Sequence, residues 1–196
     1  MLKLVVQTFL TLDGVYQAPG GPDEDTSGGF KHGGWQMPFW DAEGDKVMTQ
    51  QIAETDALLL GRVTYQIFAG FWPKQPDTDP IAKKFNAIPR FVFSNTLRKA
   101  DWRGTTILSG TLTEGVHKAK QTPGSGILAV VGSGVLAQGL MKEGLVDEYR
   151  LWIHPIVLGS GKRLFPDGFV PLHIKLVDSR TTPSGVTMLT FRPEKK

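Results

Sequence analysis

The stretch Val130-Val-Gly-Ser-Gly-Val-Leu-Ala137 is the most informative part of the sequence for the fold. An apolar strand over residues 126–131 ends in glycines, and a helix is predicted to follow as far as Met141. Glycine lets backbone N–H groups approach a phosphate, and a helix N-terminus supplies free donors and a favourable dipole. Residues 132–137 match the G-x-G-x-x-A spacing of dinucleotide-binding turns. Alone, this turn is equally well explained as a phosphate cradle or as a tight structural turn.

The rest of the chain does not match the doubly wound dinucleotide-binding fold, which has its glycine turn at the first strand–helix junction. Here the turn begins the final third of the 196 residues. Helices alternate with strands as far as the helix that follows this turn, whereas strands alone are predicted beyond it, at 148–158, 173–177 and 186–191. The pattern predicts a single α/β domain over residues 1–196, with a mainly parallel sheet finished by antiparallel C-terminal strands.

Two further strand ends carry residues that suit a phosphorylated ligand. The segment Leu60–Tyr65 repeats the strand–glycine–helix order, and its arginine can offer two donors to a phosphate. The segment Phe93–Thr96 ends a strand in three hydrogen-bonding residues. Each alone is also explained as a surface arginine beside a capped helix, or as a polar turn. Because ligands bind at the carboxyl edge of such sheets, the three junctions together favour a nucleotide site.

Composition excludes several functional classes. The sequence has no cysteine, so disulfides, thiolate metal sites and cysteine nucleophiles are excluded, and a reducing cytoplasmic location is expected. Its four histidines lack metal-ligand spacing, so no metal site is predicted. The net charge of +3 comes without a basic run, which argues against nucleic-acid or membrane partners. The apolar N-terminus is broken at Gln7 and Thr8 and is predicted to be a strand rather than a signal peptide.

Two segments are harder to interpret. Residues 15–43 are rich in glycine, proline and aromatic residues, which is typical either of a loop that covers a pocket or of one packed on the core or on a partner chain. The segment Gly159–Lys162 resembles a P-loop in part, but Ile156 and Arg163 occupy positions where that motif has glycine and serine or threonine. We therefore predict a turn between strands or a dimer contact there.

Taken in order, these motifs resemble the dihydrofolate-reductase superfamily. More narrowly, they resemble the reductase domain of the bifunctional riboflavin-biosynthesis deaminase-reductase. The segments that carry the resemblance are Thr11–Gly14, Leu60–Tyr65, Ser94–Thr96, Val131–Gly134 and Gly144–Phe165, which span nearly the whole chain.

The resemblance implies a dihydrofolate-reductase-like, three-layer α/β/α fold that binds NADPH across the sheet edge. It implies cofactor contacts from three groups of residues: Gly61, Arg62 and Thr64 at the phosphates; Ser94, Asn95 and Thr96 near the adenosine and its 2′-phosphate; and Gly132, Ser133, Gly134, Val135 and Leu136 around the pyrophosphate.

The same resemblance suggests two carboxylates for catalysis. Asp45 lies where dihydrofolate reductases place an acid against the substrate ring, although a dipole-stabilised acid at a helix start is the alternative. Asp13 lies in a turn at the lip of the pocket in this branch, although it is also explained as an ordinary turn residue. Phe39 and Trp40 are the expected substrate contacts.

The function implied is that of an oxidoreductase that transfers hydride from NADPH to a C=N or C=O carbon of a small heterocyclic or sugar substrate. Riboflavin-type reduction of 5-amino-6-(5-phosphoribosylamino)uracil, or of a pterin or folate, fits this class. The alternatives are a non-catalytic dimeric nucleotide-binding protein and an interaction protein without a cofactor. A homodimer is expected through apolar strands at Leu151–Leu158, because edge strands of this kind need covering.

Overall fold

The computed structural model describes residues 1–194. Over this range it contains eight β-strands and five α-helices, with short 3-10 turns at 27–29, 37–39 and 72–74. In chain order the elements are β1 (Lys3–Thr11), α1 (Ala42–Ala53), β2 (Thr55–Gly61), α2 (Arg62–Phe71), α3 (Pro80–Ala87), β3 (Arg90–Phe93), β4 (Thr105–Leu108), α4 (Leu112–Lys120), β5 (Ile127–Val131), α5 (Gly134–Lys142), β6 (Glu148–His154), β7 (Ile174–Thr181) and β8 (Thr187–Pro193).

The strands form one mixed sheet in the order β4-β3-β2-β5-β1-β6-β8-β7. Strand β2 pairs parallel with β3 and β5, and β3 pairs parallel with β4. Strand β8 pairs antiparallel with β6 and β7. The predicted α/β class, with a mainly parallel sheet and antiparallel C-terminal strands, is therefore confirmed.

Local signals account for several element ends. The carboxylate of Asp79 accepts the N–H groups of Ile81 and Ala82, and Pro80 occupies the first turn of α3, where its missing donor costs nothing. Thr111 and Glu114 form a reciprocal capping box at the start of α4. The starts of α3 and α4 are therefore fixed by residues that are adjacent in the sequence.

The predicted strand 148–158 is too long, because β6 ends at His154. Pro155 follows directly and lacks the N–H that a sheet interior requires. The prediction that Leu151–Leu158 supplies an edge strand is also wrong, because β6 lies between β1 and β8 and the two edge strands are β4 and β7. Seven of the eight residues of β7 are exposed, and only Ile174 is partly covered.

The chain divides into two compact units. Unit 1 comprises Met1–Val6 and Val47–Asp147, and its apolar core is centred on the side chains of Val5, Leu58, Leu60 and Val92. Unit 2 comprises Gln7–Lys46 and the chain from Glu148 onward. The single-domain assignment over residues 1–196 stays a prediction. No helix among residues 1–194 is long and apolar enough to cross a bilayer.

Unit 1 also contains a buried arginine. The side chain of Arg90 is 2% exposed and donates to the carbonyls of Phe85 and Ile88 near the end of α3. Its guanidinium carbon lies 4.4 Å from the ring centroid of Trp102. Burial lowers the pKa of Arg90, against a smaller raising effect of Tyr65. The hydrogen bonds of Nη1 and the aromatic face thus replace part of the water that this cation has lost, whereas its buried Nε has no hydrogen-bond partner.

Candidate functional site

Three predicted strand ends lie at the same edge of the sheet in unit 1. Strands β3, β2 and β5 are neighbours, and Gly61 of β2 pairs with Phe93 of β3 in parallel register. On the other side of β2, Leu58 pairs with Ala129 of β5. Because carboxyl ends of parallel strands meet at one edge, the structure brings together the three predicted cofactor segments, Gly61–Thr64, Ser94–Thr96 and Gly132–Leu136.

Ser133 connects two of these segments. Its hydroxyl accepts the N–H of Gly61 at 3.1 Å and donates to the carbonyl of Val131 at 3.2 Å. Its own N–H donates to Oγ1 of Thr64, also at 3.1 Å. Ser133 has a φ of +49° and follows Gly132 at +57°, so two successive left-handed residues form the turn. Ser133, which the resemblance places beside the pyrophosphate, therefore uses its hydroxyl and its N–H to hold the N-termini of α2 and α5 together.

Both of these helix N-termini lack a side-chain cap. Gly61 and Ser133 are the capping residues of α2 and α5, and neither makes a side-chain bond to the helix that follows. The first N–H groups of any α-helix have no partner within the helix, so each end retains donors and a partial positive charge. Two apolar side chains stand beside them in solvent, with Val63 49% and Val135 76% exposed.

The other predicted cofactor residues differ in accessibility. Arg62 is exposed, and its guanidinium donates to Gln66 one turn along α2 at 3.0 Å. Leu136 is buried, so only its backbone can face a ligand. Oγ of Ser94 accepts the N–H groups of Thr96 and Leu97, which closes a turn after β3. Asn95 and Thr96 lie exposed on this turn.

Asp13, the predicted catalytic acid of unit 2, lies in a dense set of hydrogen bonds. Its carboxylate accepts the hydroxyl of Thr11 at 2.6 Å and the N–H groups of Leu158 and Gly159 at 3.2 and 2.9 Å. Arg163 adds an ion pair at 3.3 Å. Desolvation raises the pKa of Asp13, but the hydrogen bonds outweigh it and lower the pKa to about 2. These contacts favour a role in holding the turn at 11–14 over proton donation near neutral pH.

The glycine-rich segment Gly159–Lys162 holds the long loop 15–43 in place. The N–H of Lys162 donates to the side chain of Gln17 at 3.1 Å, and its Nζ lies 2.7 Å from the carboxylate of Asp25. A Cβ at Gly161 would lie 2.7 Å from Val15 and 2.8 Å from Phe30, so only glycine fits there. Of the two interpretations of this loop, the structure favours packing, because Val15, Phe30 and Trp35 form the apolar core of unit 2.

Asp45 and Asp41 lie in the same stretch but in different settings. Asp45 is exposed in the first turn of α1, and its carboxylate has no hydrogen-bond or ion-pair partner among residues 1–194. Asp41 accepts the N–H of Gly44 at 2.7 Å and that of Ser184 at 2.9 Å. These bonds, that of Gly44 first, lower the pKa of Asp41. Sequence reasoning missed Asp41, although an aspartate directly before a helix is a usual capping signal.

The predicted substrate contacts Phe39 and Trp40 line a recess in unit 2, together with Asp41, Trp152 and His154. Its volume is about 10 Å³, which is room for about one water molecule rather than for a heterocycle. Trp40 is 43% exposed, so its ring also faces solvent. The substrate roles of Phe39 and Trp40 stay predictions.

His154 is a buried group that the sequence did not single out. It is 2% exposed, and its ring meets those of Phe9, Trp35 and Phe39 edge-on at 5.1–5.9 Å. Its Nδ1 lies 3.2 Å from the carbonyl of Leu10 and 3.1 Å from that of Trp152, so Nδ1 carries the hydrogen. Burial lowers the pKa of His154, against the raising effect of these bonds. The ring is therefore a neutral part of the core.

The model of the RibD C-terminal domain family matches residues 2–188. The chain belongs to this family. YyaP, an uncharacterized protein of Bacillus subtilis strain 168, is 29% identical over 192 residues, covering 96% of this chain and 94% of that protein.

Two solved structures show the same fold as this member of the RibD C-terminal domain family. A Shewanella sp. PV-4 protein provisionally assigned to riboflavin biosynthesis superposes with a TM-score of 0.75 at 22% identity, covering 99% of this chain and 100% of that one. Dihydrofolate reductase from Enterococcus faecalis, in a complex with NADP(H), superposes with a TM-score of 0.62 at 13% identity, covering 98% and 97%. The dihydrofolate-reductase-like fold implied by the sequence is thus confirmed.

Replacing Asp13 by asparagine tests its structural role in this RibD-type chain. An amide would turn N–H donors toward the N–H groups of Leu158 or Gly159, so we expect the free energy of unfolding to fall by about 2 kcal/mol in urea at pH 7. The lowered pKa of Asp13 adds stability above its ordinary value of 3.8, which is lost as pH falls toward about 2. Asp13→Asn should lack this acid-dependent loss, whereas Asp167→Asn, at an exposed acid, should keep it. Identical acid unfolding of Asp13→Asn and wild type would contradict the assignment.

Because His154 is buried, we predict a second pH dependence of the free energy of unfolding. Because its folded pKa lies below the ordinary 6.5, unfolding takes up a proton under mildly acidic conditions. Its stabilising contribution is complete above pH 6.5 and is lost as pH falls below that value. Urea midpoints between pH 7.5 and 5 should therefore fall more steeply for the wild type than for His154→Asn. The exposed His32 provides the control, since His32→Asn should retain the wild-type slope.

Proposed function

We propose that this protein is an NADPH-dependent reductase of the riboflavin-biosynthesis type, which reduces a C=N or C=O group of a small heterocyclic or sugar substrate. The observation that carries the proposal is the meeting of three strand ends and two uncapped helix N-termini at one sheet edge of unit 1. Membership of the RibD C-terminal domain family supports it. The Enterococcus dihydrofolate reductase, which shares the fold, is itself complexed with NADP(H).

The residues at this edge suit a dinucleotide. A pyrophosphate needs several N–H donors and no competing anion, and the free first-turn N–H groups of α2 and α5 meet that need. No acidic residue lies in the first turn of either helix. Arg62 supplies an exposed cation that can meet a second phosphate, and Asn95 and Thr96 offer polar contacts to an adenosine. When bound, NADPH supplies the hydride, and the protein supplies its position.

Substitution of Val135 separates cofactor binding from folding. Val135 is the second residue of α5, where the helix dipole tolerates an acid, so Val135→Asp should fold with undiminished stability. The new carboxylate would repel the pyrophosphate, so we expect the Kd for NADPH to rise about tenfold or more in a fluorescence titration. Val135→Thr, which is similar in size and uncharged, should bind as the wild type does.

Substitution of Arg62 tests the preference for NADPH over NADH in the same titration. Arg62→Ala should weaken NADPH more than NADH, whereas Lys118→Ala, at an exposed lysine of α4, should change neither. Equal affinity of the wild-type protein for NADPH and NADH would contradict the role of Arg62. Failure to bind either cofactor would overturn the proposed function.

For proton supply in unit 2 we propose Asp45 rather than Asp13. The Asp13 carboxylate is committed to four partners, whereas Asp45 is exposed in the first turn of α1. The experiment is a substrate screen that follows the loss of nicotinamide absorbance with phosphoribosylaminouracil, pterin and folate substrates. With an active substrate, Asp45→Asn should lower kcat while leaving the Kd for NADPH unchanged. No oxidation with any substrate, despite tight NADPH binding, would favour a non-catalytic nucleotide-binding protein.

We further propose a cytoplasmic homodimer. In unit 2, Leu176 of the edge strand β7 is 48% exposed and pairs with Phe191 of β8, so the two side chains share one face of the sheet. An apolar face of this kind is commonly covered by a second copy.

Light scattering on the purified protein tests the dimer. We expect a dimer mass for the wild type and a monomer mass for Leu176→Glu, because a carboxylate would be desolvated at the interface. Lys175 directly precedes Leu176 in the same strand and points to the opposite face, so Lys175→Glu should remain dimeric. A monomeric wild type would rule out this assembly.

A further inference from the structure

The segment 94–104, which joins β3 to β4, contains the predicted adenosine contacts and has no regular secondary structure. Its first end is closed by the turn at Ser94. Its exposed tip includes Asn95 and Thr96, while Leu97 and Ala100 pack against the core of unit 1. With its first end held in this way, the conformation of the whole segment depends also on what holds its other end.

Trp102 holds that end. It is 5% exposed, and its backbone N–H donates to the hydroxyl of Tyr65 at 3.1 Å. Its indole Nε1 donates to Oδ1 of Asn86 at 2.9 Å, and the guanidinium of Arg90 lies over its ring. A Cβ at Gly104 would lie 2.6 Å from Nη2 of Arg90, so the chain leaves the cluster through a glycine. In this Trp102 cluster (Tyr65, Asn86, Arg90, Trp102), three residues outside the loop thus hold Trp102 in place.

Tyr65 is the member that connects this cluster with the phosphate end of the site. It directly follows Thr64 in the first part of α2, the helix whose uncapped N-terminus begins at Arg62. It is 3% exposed, so its hydroxyl reaches the loop from inside the core rather than through solvent. A buried hydrogen bond between Tyr65 and Trp102 thus joins α2, whose N-terminus is the proposed phosphate site, to the 94–104 loop, which carries the proposed adenosine contacts.

We propose that Tyr65 is a positioning residue for the adenosine half of NADPH, holding the 94–104 loop in its binding conformation through the N–H of Trp102. This inference rests on the proposed function. If the loop populates its binding conformation only part of the time, the apparent Kd rises in inverse proportion to that population. Removal of the hydroxyl should therefore weaken ligands that contact the loop and spare those that do not.

Fragments of the cofactor provide the test. Adenosine 2′,5′-bisphosphate represents the adenosine half and reduced nicotinamide mononucleotide the other half. We expect Tyr65→Phe to raise the Kd of the bisphosphate and of NADPH by the same factor, about fivefold, with the mononucleotide unchanged, in calorimetric titrations. Hydrogen exchange should accelerate within residues 94–104, above all at the N–H of Trp102. A purely structural role for Tyr65 would lower the melting temperature without this split between fragments.

Tyr149→Phe is the matched control, because it removes a buried tyrosine hydroxyl from β6 of unit 2. It should leave both fragment affinities unchanged. Should Tyr65→Phe fail to fold, Asn86→Ala removes the acceptor of the Trp102 indole from a half-buried site and should show the same split. An unchanged bisphosphate affinity in the folded variant, or equal weakening of both fragments, overturns the proposal. A wild-type protein that binds neither NADPH nor the bisphosphate instead overturns the proposed function, before any variant is compared.

Discussion

The parallel pairing of β2 with both β3 and β5 is the constraint on which the candidate site depends. Parallel strands that begin at one edge of a sheet also end together, so whatever follows each strand must emerge at the same place. Of the three segments that leave the sheet at this edge, those after β2 and β5 continue almost directly into the helices α2 and α5. Their N-termini present positive ends of helix dipoles side by side, which is a favourable place for anions and a costly one for carboxylates. The absence of acids from the first turns of both helices agrees with that electrostatic demand.

Short polar residues at the strand ends are engaged within the protein itself. Ser133 bonds with Gly61, Val131 and Thr64, and Ser94 closes its own turn. The physical reason is that a strand end carries backbone N–H and C=O groups that leave the ladder, and these need partners wherever water is excluded. A hydroxyl is well suited to supply them. Ligand contacts at this edge are consequently left to backbone donors and to exposed side chains such as Arg62 and Asn95.

In unit 2, the carboxylate of Asp13 is likewise engaged within the protein itself. The family resemblance puts the turn at 11–14 at the lip of a pocket, where Asp13 is either a catalytic acid or an ordinary turn residue. In the structure, the carboxylate instead ties that turn to Leu158, Gly159 and Arg163. The partners lie more than 140 positions away along the chain, which is why no local pattern could reveal that the carboxylate is occupied. His154 escaped notice for a related reason, since a histidine in an apolar strand gives no sign of whether it faces a core or a ligand.

The sequence by itself determined the elements and their order. Strand β5 and helix α5 lie where the pattern around Val130–Ala137 predicts them, because the glycines that separate the two elements are a local signal. It also determined which strand ends carry donors and cations. Only the tertiary structure decided that β6 is an inner strand, that loop 15–43 forms a core around Trp35, and that Asp45 is exposed while Asp13 is bound. These outcomes depend on contacts between residues far apart in the chain, whose free energies come from burial and hydrogen bonding that no local periodicity encodes.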